Sequence, residues 1–168
     1  MLLQGSSLRA GGPGDQPGRG RRREGTAPGC GEPKASEHGL VLIVKATYRD
    51  KWQFPGGVLD HNEDPIQCAQ RELLEETGLH TSSLALSVVT WSLPGPRLPH
   101  PSVNFVFDAG TFKAPDIQLQ ADELEAHMWA RPDEAQELLL PSAALRMTAA
   151  LEVRKTGSVQ MLHSGDDC

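Results

Sequence analysis

The sequence lacks any apolar run long enough to span a membrane. Its longest such run is the short stretch LVLIV at residues 40–44, whereas a transmembrane helix needs about 20 apolar residues. The first ten residues also lack the charged start and extended apolar region of a secretory signal. We therefore expect no membrane partner and a cytoplasmic location.

Cysteine is scarce as well. The chain has three cysteines, Cys30, Cys68 and Cys168, and they are widely spaced. An odd number at such spacing favours reduced thiols over a disulfide framework, and no Cys/His spacing is typical of a zinc site. We expect all three to be structural thiols without a chemical role.

A net positive charge is found only at the N-terminal end of the sequence. Residues 1–38 contain six Arg or Lys and four acidic residues, a net charge of +2, which leaves −8 for the rest of a chain whose total is −6. An acidic body disfavours nucleic acid as a partner. The one basic patch is RGRRR at residues 19–23, and a solvated, non-binding stretch is its simpler interpretation.

Residues 1–38 also lack signals of regular structure. About a third of them are Gly or Pro, and no apolar periodicity lasts one helical turn or one strand. We predict a disordered Gly/Pro/Arg-rich tail, or a mis-assigned start, over residues 1–38 and a globular domain over residues 39–168. Intact mass and N-terminal sequencing of the natural protein would test the mis-assigned start.

Against these absences, the stretch RELLEETG at residues 71–78 crowds three carboxylates together. It lies in a predicted helix with clear ends. Asp64 is a good N-cap, Pro65 suits the first helical position, and Gln67 completes a capping box. Gly78 can adopt the left-handed conformation that ends a helix.

The predicted helix has an apolar face and an acidic face. The apolar stripe comprises Ile66, Ala69 and Leu73, and the acidic face comprises Glu72, Glu75 and Glu76. The two are centred roughly 130° apart around the helix axis. Like charges at this spacing repel one another. A solvated surface helix with a modest Arg71–Glu75 pair is one explanation, and a bound cation that cancels the repulsion is the other.

The surrounding frame favours the cation. Residues 57–79, GVLDHNEDPIQCAQRELLEETGL, fit the pattern G-x5-E-x7-R-E-U-x-E-E-x-G-U at every fixed position, where U is aliphatic. This segment, with WQFPGG just upstream, resembles the Nudix hydrolases. The matching positions are Gly57, Glu63, Arg71, Glu72, Leu73, Glu75, Glu76, Gly78 and Leu79.

The resemblance implies an α/β fold in which a Nudix-type mixed β-sheet is sandwiched between helices. It extends from residue 40 to about residue 155. The sequence pattern predicts strands at 39–48, 84–91, 102–112 and 125–130, and helices at 131–139 and 142–155. Residues 25–38 do not resemble the family's usual first strand, so that strand is expected to be missing. A bare sheet edge would then favour a homodimer.

The resemblance also implies a chemistry. In Nudix hydrolases, motif glutamates and a backbone carbonyl hold Mg2+, with Mn2+ as an alternative, and water attacks one phosphorus of a nucleoside diphosphate linked to another group. Carried over by position, the metal ligands are Glu72, Glu75, Glu76 and the Gly56 carbonyl. Glu72 either binds metal or orients water. Structural support of the motif falls to Gly57, Glu63, Arg71 and Gly78, with Glu63 and Arg71 bracing the loop against the helix.

The general base of this family is often a glutamate outside the motif. The segment ADELEAHMW at residues 121–129 offers Glu123 and Glu125, and its resemblance to the family's later acidic segment favours Glu123. We therefore assign Glu72, Glu76 and Glu123 as catalytic candidates. A polar turn before a strand is the competing interpretation of Glu123.

Other residues are weaker candidates. His61 and His127 are more simply a solvated loop residue and a strand residue, and Cys68 a packing residue. Trp52, Trp91 and Trp129 suit core packing as well as base stacking.

Substrate choice stays open. Pro94 or Pro96 matches a family hint of ADP-ribose hydrolysis, but the same loop contains four prolines. Dinucleotides and standard or oxidised nucleoside triphosphates are equally compatible with the motif. Two other function classes are a catalytically silent Nudix domain that senses nucleotides and an interaction protein that uses the basic tail.

Overall fold

The computed structural model describes residues 2–5, 39–95, 99–113 and 116–164. Along these residues the strands and helices alternate in a mixed order. The elements are β1 (Leu2–Gly5), β2 (Val41–Ala46), α1 (Pro65–Thr77), β3 (Ala85–Ser92), β4 (Ser102–Asp108), β5 (Leu124–Ala130), α2 (Pro132–Leu138), α3 (Pro141–Thr156) and β6 (Gln160–Ser164).

The strands form two sheets. A four-stranded sheet has the order β1-β4-β3-β6, in which β6 runs parallel to β3 and the other pairs are antiparallel. A two-stranded antiparallel sheet pairs β2 with β5, and its register shifts between Lys45 and Ala46. The predicted α/β fold with a mixed sheet is therefore confirmed.

Two hydrophobic clusters attach the long helices to these sheets. The larger one packs α3, through Met147 and Ala150, against Val88 of β3 and Val106 of β4. A smaller cluster joins Leu73 of α1 to Leu42 of β2. The two helices are thus held by different parts of the core, and α1 depends on the smaller part. No helix within the described ranges is both long and apolar enough to cross a membrane.

The first strand corrects two expectations. Leu2–Gly5 form β1 and pair with β4, so the prediction of disorder is wrong for these four residues and the sheet does not lack a strand beside β4. Four residues are too few to show a period, and their pairing is with residues about a hundred positions away, which local sequence cannot reveal. The rest of the predicted tail, including residues 19–23 and Cys30, lies outside the described residues.

The ends of α1 are as predicted. The Asp64 side chain accepts hydrogen bonds from the backbone N–H groups of Ile66 and Gln67, at 2.8 and 2.9 Å, and the Gln67 side chain accepts one from the Asp64 N–H at 3.0 Å. Gly78 closes the helix with φ 71°. Its N–H donates to the Leu74 carbonyl at 2.9 Å.

The faces of α1 differ from the prediction at three positions. Ile66 is 46% exposed, and Cys68 lies in the buried face beside Ala69 and Leu73. Glu76, expected on the charged face, is only 4% exposed. Apolar periodicity finds the packed stripe, but it does not show that a carboxylate can turn toward the interior. A buried acid therefore stands at the centre of the motif.

Candidate active site

Arg71 is the centre of the motif's hydrogen-bond network. Its Nε and Nη2 donate to the two carboxylate oxygens of Glu63, at 2.8 and 2.9 Å. Its Nη1 donates to Glu72 Oε1 at 2.9 Å and to Glu75 Oε2 at 3.0 Å. The guanidinium holds the pKa of Glu63 below its usual value. This fork fastens the motif loop to α1, and the support role of Glu63 and Arg71 stays a prediction.

Gly57 is in close contact with Glu72. A Cβ atom built on Gly57 would lie 2.3 Å from Glu72 Oε1, so any side chain here would displace that carboxylate. The loop that follows is closed by the Asp60 N–H, which donates to Glu63 Oε2 at 3.0 Å. The absence of a side chain at Gly57 thus lets the loop pass directly over Glu72.

Glu76 is a buried carboxyl group held by the backbone. The Gly56 N–H donates to its Oε2 at 2.8 Å, and Gly56 has φ 143°, a conformation that favours glycine. Burial, together with the charges of Glu72 and Glu123, raises the pKa of Glu76 to about 8 against the opposing hydrogen bond from Gly56. An acid in these surroundings is stabilised by a proton or by a nearby cation.

The other two motif glutamates are less enclosed. The side chain of Glu72 is 15% exposed and that of Glu75 is 53% exposed. Burial raises the pKa of Glu72, although its contact with Arg71 opposes the shift. The three acids therefore do not share one solvated face, as the sequence had suggested, but extend from solvent into the interior.

Glu123 lies near the motif, although it is distant in sequence. Its charge raises the pKa of both Glu72 and Glu76. Its backbone carbonyl accepts a hydrogen bond from the Thr47 N–H at 2.9 Å, beside the end of β2. Glu125 instead pairs with Lys45, with 2.5 Å between Nζ and Oε1. Of the two acids considered for the general base, Glu123 is the one whose charge acts on the motif carboxylates, and its role stays a prediction.

The C-terminal end of α1 contacts a segment that the sequence did not indicate. The Gln118 N–H donates to the Thr77 carbonyl at 2.9 Å, and the Gln120 N–H donates to the Glu76 carbonyl at 3.3 Å. Helix ends leave such carbonyls without partners inside the helix. Nothing in the local sequence signals these bonds, because the two partners are some forty residues apart.

Thr77, also unmarked by the motif, is fully buried. Its Oγ1 donates to the Leu73 carbonyl at 2.6 Å and accepts a hydrogen bond from the Leu79 N–H at 3.3 Å. These bonds turn the chain inward after α1, so that Leu79 packs with Leu42 and Leu73.

The histidines, tryptophans and prolines that were weaker site candidates lie in different parts of the structure. His61 is exposed in the motif loop, and His127 lies in β5 opposite Val44. Trp52 and Trp129 pack against the larger and smaller clusters, respectively, while Trp91 is 37% exposed. Pro94 is exposed, and Pro96 and Cys168 lie outside the described residues.

The side chains of the three candidate metal-binding glutamates already have hydrogen-bond partners. Across residues 39–95, 99–113 and 116–164, no three His, Cys, Asp or Glu side chains converge as a preformed ion site. Glu72 and Glu75 contact Arg71, and Glu76 contacts the Gly56 N–H. Carboxylate oxygens are nevertheless the donors that Mg2+ prefers. A cation that bound here would therefore have to draw these oxygens away from their present partners.

A comparison with known protein families shows the family of this chain. A sequence profile of the NUDIX domain matches residues 33–151. The chain belongs to the NUDIX family. The match includes the whole motif, the β2–β5 sheet and most of α3, and hence every residue placed around Glu76 above. It begins six residues before the domain boundary predicted at residue 39, which stays a prediction.

Similar proteins support the same relationship. An RNA pyrophosphohydrolase of Psychrobacter cryohalolentis is 42% identical over 65 residues, a stretch that covers 39% of this chain and 38% of that protein. This match thus spans well under half the length of the relative.

Solved structures share the fold. A MutT protein from Bacillus halodurans has a TM-score of 0.59 at 23% identity, covering 76% of this chain and 81% of that one. An Ap4A hydrolase from C. elegans has a TM-score of 0.55 at 20% identity, covering 71% of this chain and 89% of that one. At this identity the two likenesses establish the NUDIX fold alone.

Proposed function

We propose that this NUDIX protein is a divalent-metal-dependent hydrolase that cleaves the diphosphate linkage of a nucleoside diphosphate derivative by water attack on phosphorus. The observation that carries the proposal is the burial of Glu76 beside Glu72 and Glu123. Burying an ionised acid near other acids is costly unless a cation accompanies it, and without a cation the acid takes up a proton. A structural surface helix has no need of such a group.

Glu72, Glu75 and Glu76, with the Gly56 carbonyl, would hold the cation. Their oxygens are hard donors that suit Mg2+, with Mn2+ as the alternative. When bound, such a cation neutralises charge on a diphosphate and makes bound water a better nucleophile. The absence of a side chain at Gly57 leaves room for the Glu72 carboxylate itself, which lies where a side chain at position 57 would begin.

The chain's own residues divide the remaining work. Glu123 is the candidate general base that takes a proton from the attacking water, because it is exposed and its charge acts on Glu72 and Glu76. Arg71 and Glu63 keep the motif loop and α1 in register through their fork. The Gly56 N–H orients Glu76. None of these support roles requires contact with the substrate.

The substrate class we propose is a small nucleotide: an ADP-ribose-like compound, a dinucleotide, or a standard or oxidised nucleoside triphosphate. Residues 39–168 carry a net charge of −8 in a chain whose total is −6, which opposes binding of a long polyanion. RNA is the second candidate, since the similar Psychrobacter protein is an RNA pyrophosphohydrolase. The predicted cytoplasmic location and homodimer stay predictions.

Two non-catalytic interpretations compete with the hydrolase. A silent NUDIX domain would bind nucleotides without turnover, and the intact set of motif glutamates argues against it. An interaction protein would act through residues 19–23, which lie outside the described residues. Deleting residues 6–38 without any change in activity would count against the interaction protein.

The first experiment measures phosphate and nucleotide release with Mg2+ from ADP-ribose, dinucleoside polyphosphates, nucleotide sugars, nucleoside triphosphates and a 5′-triphosphorylated RNA oligonucleotide. Glu76→Gln is the test variant. Glu152→Gln is the matched control, because Glu152 is an exposed α3 residue that pairs only with Lys155 among the described contacts. We expect Glu76→Gln to lower kcat at least about 100-fold with an unchanged melting temperature.

The outcomes separate the interpretations. Turnover by wild type and Glu152→Gln but not by Glu76→Gln supports the hydrolase and identifies its substrate class. Equal turnover by all three proteins would refute the role of Glu76. Nucleotide binding without turnover in the wild type would favour the silent domain.

A further inference from the structure

The C-terminal ends of α1 and α3 have the same backbone geometry. Gly78 ends α1 with φ 71° and ψ 1°, and Gly157 ends α3 with φ 73° and ψ 4°. Their N–H groups donate to the carbonyls four residues back, Leu74 at 2.9 Å and Val153 at 2.7 Å. Asparagine is the non-glycine residue that tolerates this left-handed conformation best. The two positions therefore have equal local requirements.

Their surroundings are different. A Cβ atom built on Gly78 would lie 3.1 Å from Gln118 Cβ and 3.6 Å from Gln118 Cγ. A Cβ atom built on Gly157 would have no atom within 4 Å. At Gly78, the absence of a side chain thus makes room for another part of the chain, in addition to meeting the backbone requirement.

The segment that occupies this room leads to Glu123. Its contacts with α1 are the two backbone bonds from Gln118 and Gln120 to the Thr77 and Glu76 carbonyls, at 2.9 and 3.3 Å. The Glu123 N–H in turn donates to the Gln120 carbonyl at 3.1 Å. Only a short turn separates the attachment point from the acid. A shift of Gln118 away from the helix would therefore also shift Glu123 relative to Glu76.

We propose that Gly78 is a positioning residue for Glu123. Its missing side chain lets residues 118–123 close onto the end of α1, and this closure sets the position of Glu123 relative to Glu72 and Glu76. The inference rests on the proposed function, in which Glu123 accepts a proton from water. Any Cβ at Gly78 forces Gln118 to move by a few tenths of an ångström, and small displacements of reacting groups lower rates steeply.

Gly78→Asn tests the inference, with Gly157→Asn as the matched control. Both variants carry the same backbone cost, but only the first crowds a neighbour. Two readouts are followed in the full chain: hydrogen exchange of the Gln118 and Gln120 amides by NMR, and kcat and KM on the substrate found in the panel. We expect Gly78→Asn to weaken amide protection and to lower kcat about tenfold with little change in KM.

A second substitution, at Gln118, shows whether Gly78→Asn acts by crowding Gln118 or by damaging the fold in general. Gln118→Gly removes the Cβ and Cγ atoms that a side chain at position 78 would meet. The double variant Gly78→Asn/Gln118→Gly should therefore recover most of the kcat lost in Gly78→Asn. Gln118→Gly alone gives the baseline for that recovery.

Glu123→Gln distinguishes a failure of this inference from a failure of the proposed function. Full turnover by Glu123→Gln would overturn the assigned role of Glu123 and with it the inference. Loss of turnover in Glu123→Gln, combined with a Gly78→Asn protein that behaves like Gly157→Asn in both readouts, would overturn the inference alone. A double variant as slow as Gly78→Asn would also overturn it.

Discussion

The two long helices, α1 and α3, are built from similar parts and use them differently. Each begins with a proline and ends with a left-handed glycine. Each carries an arginine that forks onto a carboxylate elsewhere in the chain: Arg71 onto Glu63 in α1, and Arg154 onto Asp108 in α3. The same local devices therefore serve both helices.

The difference lies in what each helix buries. Apart from Arg146, the side chains that α3 buries are small or apolar, and Met147 and Ala150 pack against the four-stranded sheet. The buried set of α1 includes a carboxyl group, Glu76, and its arginine continues from Glu63 to Glu72 and Glu75. We conclude that α3 mainly stabilises the fold. Part of the buried surface of α1 instead holds the charged groups of the motif in position. Substitutions in the two helices should accordingly separate stability from turnover.

The largest expected effect on stability is in α3. Met147 is 1% exposed in the larger cluster, and Met147→Ala should lower the free energy of unfolding by about 3 kcal/mol. Urea unfolding measures this loss. Leu145→Ala, at a position 53% exposed on the same helix, should cost much less. In both variants, kcat per folded molecule should stay near the wild-type value. A tenfold drop in kcat for Met147→Ala would contradict the conclusion that α3 mainly stabilises the fold.

The arginines of the two helices, Arg71 and Arg154, allow a second comparison, and its expected effect is of intermediate size. Arg71→Lys and Arg154→Lys each remove a two-point fork from a partly exposed ion pair, so each should cost about 1 kcal/mol of stability after allowance for solvent screening. Only Arg71 also contacts Glu72 and Glu75. We expect Arg71→Lys alone to lower kcat at least about tenfold, measured well below both melting temperatures. Equal rates for the two variants would show that Arg71 supports the fold and not the site.

The smallest expected effect is the acid dependence of the α3 fork. Burial favours the neutral form of Asp108, but hydrogen bonds from Arg154 and the Gly110 N–H outweigh it and hold its pKa below the ordinary value of 3.8. A depressed pKa contributes stability above the unfolded value and loses it as the pH falls through the folded value. Asp108→Asn should thus be less stable than wild type at pH 7, by about 1 kcal/mol.

That difference should shrink below about pH 4. Urea unfolding of both proteins across this range measures it. A difference that stays constant down to pH 2 would show that the charge of Asp108 contributes nothing.

The sequence predicted what depends on neighbours in the chain. Both ends of α1 follow from Asp64, Pro65, Gln67 and Gly78, because capping is chemistry between residues a few positions apart. The motif pattern also identified the family and the acids near Glu76. Interpreted by resemblance, the later segment led to Glu123, whose charge acts on Glu72 and Glu76 and whose role as general base stays a prediction.

Contacts between distant segments were not predictable from single residues. β1 and β6 gain their hydrogen bonds from β4 and β3, and neither has a period long enough to be recognised. The bonds from Gln118 and Gln120 to the end of α1 have no signature in either segment. The inward turn of Glu76 was missed for a related reason: an amphipathic pattern assumes that charged residues face water.

Cys68 has a consequence for studying this helix. Its side chain is fully buried on α1, and burial, followed by the charge of Glu63, raises the pKa of its thiol to about 12. Such a thiol is protected from alkylating reagents and oxidants while the helix is packed. In a chain with Cys30 and Cys168 replaced by serine, the rate of Cys68 alkylation would report how often α1 opens, residue-specifically and without any substrate.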